Sequence, residues 1–131
     1  KENDGVPLLR AAGEGWAGVC RRVDYAGMPD FYRGLRVFLC ASRVEGVPYP
    51  PLEALACGVP VVIPRGVGLL DELPDIPGIH RFDCGDYESM KDALQVALLT
   101  PAKPDELRAA VAPYTWNAWR ESHLQAFEEW L

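Results

Sequence analysis

Two nearly unbroken apolar runs, LRVFLCA at residues 35–41 and VPVVIP at residues 59–64, stand on either side of a proline-rich stretch and a short helical pattern. Runs of this length and composition are what a strand covered on both faces requires, and such strands belong to parallel sheets. Between them RVEGVPYPP, residues 43–51, carries three prolines and a glycine, so it reads as a loop held by ring constraints more than by hydrogen bonds. The helix that follows is expected over residues 52–57, with Gly58 stopping it. Strand, loop, helix, strand is a βαβ unit, and an α/β fold follows.

The flanking sequence agrees with that class. Residues 16–23 have strand composition, 28–33 read as a short helix starting on a proline, and 78–82 (GIHRF) suggest a further edge strand. Residues 65–75 (RGVGLLDELPD) read as a glycine loop with about one helical turn. Met90, Ala93, Leu94, Ala97 and Leu98 repeat at helical spacing and predict a helix over 87–99, ended by TPAKP. Helices over 105–111 and 115–131 complete the chain. In the last one Trp116, Trp119, His123, Phe127 and Trp130 form one stripe, which either packs on this domain's own sheet or faces a second domain.

Composition removes several function classes. A net charge of -6 without a Lys/Arg cluster repels phosphate backbones, which argues against nucleic acid as a partner. No apolar run approaches the twenty or so residues of a membrane span. Cys20, Cys40, Cys57 and Cys84 contain no CxxC pair, so they suggest buried small hydrophobes in a reducing, cytoplasmic setting rather than a zinc site. The opening KENDGVPLL is unlike a secretory signal, and a first residue of Lys1 rather than Met suggests that something lies upstream.

Chemistry concentrates in SRVEGVPYPPLEALACGVPVV, residues 42–62. This loop leaves the carboxyl end of a strand and enters a helix, the edge where ligands of open α/β sheets sit. With Pro50 and Pro51 in the first turn, free amides are expected from Leu52 onward, and with the helix dipole they would hold a diphosphate without a metal ion. Glu53 cannot complete a capping box: Pro50 as cap offers no N–H, and a cap at Tyr49 places Leu52 at the third position. Its two acceptor oxygens suit paired ribose hydroxyls. Glu45, eight positions earlier, is either a solvated loop charge or a carboxylate bordering the same cleft.

DFYRGLRVFLCAS (30–42), EGVPYPPLEALACGVPVV with its E-x7-E spacing, GVGLLDE (66–72) and YTWNAW (114–119) together resemble the retaining GT-B glycosyltransferases of the glycogen synthase and sucrose synthase kind. The resemblance covers about residues 16–131. It implies a Rossmann-like parallel sheet flanked by helices, with 1–131 forming the donor-binding C-terminal domain, truncated at its N-terminal side. The implied reaction is glycosyl transfer from a nucleotide diphosphate sugar with retention of configuration. By the same resemblance Glu45 is the catalytic-site glutamate near the anomeric carbon, and Glu53 holds the nucleotide ribose. The Leu52 amide meets the diphosphate, Gly46 and Val47 face the donor sugar, the Val23 backbone lines the base, and Glu72 lies near the donor. No metal or other cofactor is implied, and the missing partner is an N-terminal acceptor-binding domain or chain.

The chain also departs from the pattern. Val47 and Pro48 stand where phenylalanine and glycine are usual, Leu69 replaces a glycine and narrows the space there, and no basic pair precedes residue 16. These departures keep a second expectation open, a catalytically silent binding or assembly module of the same fold, and a third, an epimerase or phosphorylase of that fold. His80 and His123 are expected to be structural, and Arg21 and Arg22 a solvated strand edge.

Overall fold

The computed structural model describes residues 23–130 and, as backbone, two short strands before them, β1 (Ala11–Ala12) and β2 (Cys20–Arg21), which pair in parallel. Of the strand expected over 16–23, residues 16–19 and 22 lie outside the described residues. Asp24 caps a 3-10 turn at Tyr25–Gly27 by accepting from the Gly27 amide at 2.8 Å, and α1 (Met28–Arg33) follows directly. Pro29 occupies its first turn, where a missing N–H costs nothing.

The central sheet is parallel throughout and runs β3 (Phe38–Leu39), β4 (Val61–Pro64), β5 (Ile79–Phe82). All four residues of the middle strand β4 are buried. Its alternation divides the core in two. Val61 and Ile63 join Leu52 and Leu55 of α2 (Tyr49–Ala56), while Val62 joins Phe82 of β5 and Ala97 of α3 (Tyr87–Leu99). Leu107 and Val111 of α4 (Pro104–Val111) pack into the first cluster. Helices therefore cover both faces of the sheet, the expected α/β architecture.

Two boundaries differ from the sequence reading, and one open alternative is decided. The strand expected over 35–41, buried on both faces, is only β3 and is half-buried. Among the described residues it has β4 on one side alone, and the amides of Phe38 and Cys40 enter the sheet through the Pro60 and Val62 carbonyls at 2.8 and 2.9 Å. Helix α2 begins at Tyr49 instead of residue 52, because Pro50 and Pro51 already carry helical φ and sit in the first turn, with Pro48 as N-cap. The last helix, α5 (Trp116–Trp130), buries none of its residues. Trp116 and Trp130 are 78% and 90% exposed, so the aromatic stripe does not pack on this domain's own sheet.

Gly58 ends α2 at φ +79, and its bare α-carbon also admits α4: an added Cβ would meet the Pro104 Cβ at 2.8 Å. Gly58→Ala combines left-handed backbone strain with overpacking and should cost about 2–3 kcal/mol. Urea unfolding is the check; a loss of only about 1 kcal/mol, the backbone strain alone, would show that α4 simply moves aside.

Candidate functional site

The carboxyl ends of β3, β4 and β5 release three loops toward the same side, and contacts draw these loops together. The β4 loop enters a 3-10 turn at Gly68–Glu72. Gly68, at φ +50, lies so close to the β3 loop that an added Cβ would stand 2.8 Å from the Gly46 carbonyl oxygen and 2.9 Å from that of Glu45. From the β5 loop, the Cys84 thiol reaches 4.0 Å from the Arg43 carbonyl. The turn is closed by the Gly66 amide donating to Asp71 Oδ1 at 3.0 Å.

Arg81 on β5 supports the far end of that turn. Its side chain is 8% exposed, donates to the Leu73 carbonyl at 2.5 Å and pairs with Asp75. Arg65 pairs with Asp83 at 3.4 Å. Between these groups opens a shallow pocket of about 300 Å³ lined by Arg65, Asp71, Leu73, Asp75 and Arg81. Its walls carry both signs of charge.

Glu53 stands in the second turn of α2, exposed, and its Oε2 accepts a hydrogen bond from the Tyr32 hydroxyl at 2.7 Å. Tyr32 itself is 2% exposed and its ring is set edge-on against Phe31 and Phe38, at centroid distances of 5.5 and 5.7 Å. Burial first, and the adjoining Glu53 carboxylate second, raise the tyrosine pKa far above its ordinary value, so the hydroxyl is a permanent donor. Sequence reasoning passed over Tyr32. The available signal was a tyrosine inside the short helix read over 28–33, since a phenol buried there needs a partner.

The remaining expected site residues are distributed as follows. Glu45, Gly46 and Val47 are exposed on the β3 loop, and Glu72 is exposed at the end of the turn that touches this loop. Leu52 turns its side chain into the core. Val23 is half-buried two residues beyond β2. Leu69, expected to narrow the space at the loop, instead packs against the hydrophobic core, a direction the positive φ of Gly68 makes possible. His80 lies within β5 with its Nε2 buried and unpartnered, and burial lowers its pKa. His123 stacks on Trp119 at 4.0 Å along α5.

The early start of α2 changes which main-chain donors are free. The four positions without an intrahelical acceptor are Pro48, Tyr49, Pro50 and Pro51, and only Tyr49 has an N–H. A helical run beginning at Tyr49 places the Leu52 amide on the Pro48 carbonyl, closing the first turn. The expectation of free amides from Leu52 onward is thereby corrected.

A parallel sheet with helices on both faces and its loops gathered at one edge defines an open-sheet α/β domain. Over residues 6–112 the chain matches the family described as glycosyl transferases group 1, and it belongs to that family. The fold agrees with part of a GT-B C-terminal domain. Among curated proteins it is similar to a lipopolysaccharide core biosynthesis mannosyltransferase of Rhizobium meliloti, 44% identical over 61 residues, covering 44% of this chain and 17% of that protein. It is also similar to O-antigen chain mannosyltransferase B of Escherichia coli, 36% identical over 69 residues, covering 53% and 17%. A glycogen synthase of Deinococcus deserti is 30% identical over 135 residues, covering 95% and 30%. The chain thus spans less than a third of the length of these relatives. No solved structure gives a significant match. No helix among the described residues is long and apolar enough to cross a membrane.

The Gly68 contact is testable against its neighbour. Gly66 also has positive φ, at +74, but an added Cβ there meets nothing within 4 Å. Both Gly→Ala changes should incur a backbone cost of about 1 kcal/mol, and Gly68→Ala about 1–2 kcal/mol more. Gly68→Ala alone should shift the Glu45 and Gly46 amide resonances; equal stability loss and equal shifts in both variants would remove the contact from the account.

Proposed function

We propose that this chain supplies the donor-binding side of a glycosyltransferase that moves a sugar from a nucleoside diphosphate to an acceptor with retention of anomeric configuration. The observation that carries this reading is the family match over residues 6–112, which encloses both glutamates of the E-x7-E spacing and the glycine turn folded against the first of them. Glu53, with one carboxylate oxygen engaged by Tyr32, accepts ribose hydroxyls. Glu45 and Gly46 border the donor sugar together with Val47, Val23 lines the base, and Glu72 approaches the donor from the neighbouring turn. On the diphosphate side the Tyr49 amide is the free donor of the first turn, and the Leu52 amide contributes as part of the helix dipole. The mannosyltransferase relatives favour a hexose as the transferred group. The reaction needs an acceptor-binding domain beyond the described fold, no metal step is invoked, and a cytoplasmic setting suits the free thiols of Cys40, Cys57 and Cys84.

One observation favours a second reading, a binding or assembly module without transfer. Three prolines among the four N-terminal positions of α2 leave a single amide for an anion. Calorimetric titration of the chain with UDP, ADP and GDP separates the two. The donor-site reading expects at least one of them to bind, and Glu53→Ala to weaken that binding roughly tenfold or more while the fold stays intact. Absence of binding at millimolar nucleotide, with cooperative unfolding retained, would favour the silent module.

A further inference from the structure

Helix α1 carries no residue assigned to the site, yet it supplies the one hydrogen bond made to the Glu53 side chain among the described residues. The geometry is specific. Tyr32 is fixed by burial and by edge-on contacts with Phe31 on its own helix and Phe38 on β3, so its hydroxyl has little freedom to follow a moving partner. Glu53 is exposed and in no ion pair among the described residues; without Tyr32 its three side-chain torsions would sample several rotamers. A donor fixed at 2.7 Å on Oε2 selects one of them.

We infer that Tyr32 is a positioning residue that presents Glu53 to the ribose, making the discrimination of ribose from deoxyribose depend on a helix that does not touch the nucleotide. This rests on the donor-site reading given above for Glu53. The carboxylate has two oxygens and about four lone-pair directions; Tyr32 occupies one on Oε2, leaving Oε1 and the second lone pair of Oε2 for two hydroxyls. A fixed carboxylate loses less entropy on meeting those hydroxyls than a free one, and that difference applies only to ligands bearing them. Removal of the tyrosine oxygen should therefore reduce affinity for the ribonucleotide more than for its 2′-deoxy and 3′-deoxy counterparts, each of which offers Glu53 a single hydroxyl. A purely structural role would lower both together.

Tyr32→Phe keeps the ring in place and deletes only the donor. The measurement is the dissociation constant of whichever of UDP, ADP and GDP binds the wild-type chain best, beside its 2′-deoxy and 3′-deoxy forms, with thermal unfolding recorded for each variant. Wild type should favour the ribonucleotide by roughly tenfold or more over at least one deoxy form. Tyr32→Phe should lose about half or more of that ratio on a logarithmic scale, and Glu53→Gln should lose it too. The double variant should show little further loss, because the two side chains act as a unit. If Tyr32→Phe keeps the full ratio, or loses affinity for deoxy and ribo forms alike, positioning is overturned while the nucleotide site stands. Should folded wild-type chain bind none of the three nucleotides, the donor-site reading itself falls. The inference then falls with it, a result distinct from the other two.

Discussion

The burial of β4 on both faces governs this fold. Val61, Val62, Ile63 and Pro64 leave no side chain to solvent, and a four-residue strand can be enclosed in this way only if helices close over both sides of its sheet. Chain connectivity does the rest. Each crossover returns the chain to the same end of the sheet, so that every strand of the trio points its carboxyl terminus toward one edge. The loops bearing Glu45, Gly68 and Cys84 converge there as a consequence of that enclosure, and their mutual contacts then fix them more closely than topology alone would.

Most of this arrangement was legible in the sequence because it follows from periodicity and composition. VPVVIP marked the enclosed strand, the Met90 to Leu98 repeat marked α3, and Gly58 marked the end of α2. The errors fall where local chemistry permits two outcomes. Pro50 and Pro51 stand in a first helical turn as expected, but the helix opens already at Tyr49, three residues before the expected start at Leu52. LRVFLCA has the composition of an enclosed strand, but among the described residues only Phe38 and Leu39 form β3, with β4 as their one neighbour. The stripe of tryptophans announced a buried helix face and gave no means of saying what would bury it; within the described residues α5 remains uncovered.

The candidate site was legible in a different way. Glu45 and Glu53 were singled out through the family resemblance of the string around them, whereas the groups that hold them in place were not. The Gly68 contact with the Glu45 and Gly46 carbonyls joins loops more than twenty residues apart, and the Tyr32 bond to Glu53 crosses from one helix to another. Such pairings depend on how helices dock against the sheet, which no single-chain pattern of apolar residues encodes. Tyr32 was the exception in principle: a hydroxyl with no access to water must be satisfied, and the nearest acceptor on a neighbouring helix is then constrained to answer it.

Electrostatics separates the tasks at this edge. Helix α2 retains its aligned peptide dipoles, but the positive end of a helix dipole acts mainly through unpaired amides, and Pro48, Pro50 and Pro51 remove three of the four. The exposed side chains nearby include Glu45, Asp71 and Glu72, which repel a diphosphate, and Arg65 is already engaged by Asp83. Glu53 belongs to the same acidic group, yet its role differs, because a carboxylate anchored by a phenol is an acceptor for neutral hydroxyls and a poor neighbour for phosphate. On the proposed reading the described residues are therefore better equipped to recognise a pentose than to neutralise a pyrophosphate. Arg43, exposed on the β3 loop and in no ion pair among the described residues, is the cation at hand there, and the domain's selectivity would be set mainly by hydroxyl recognition.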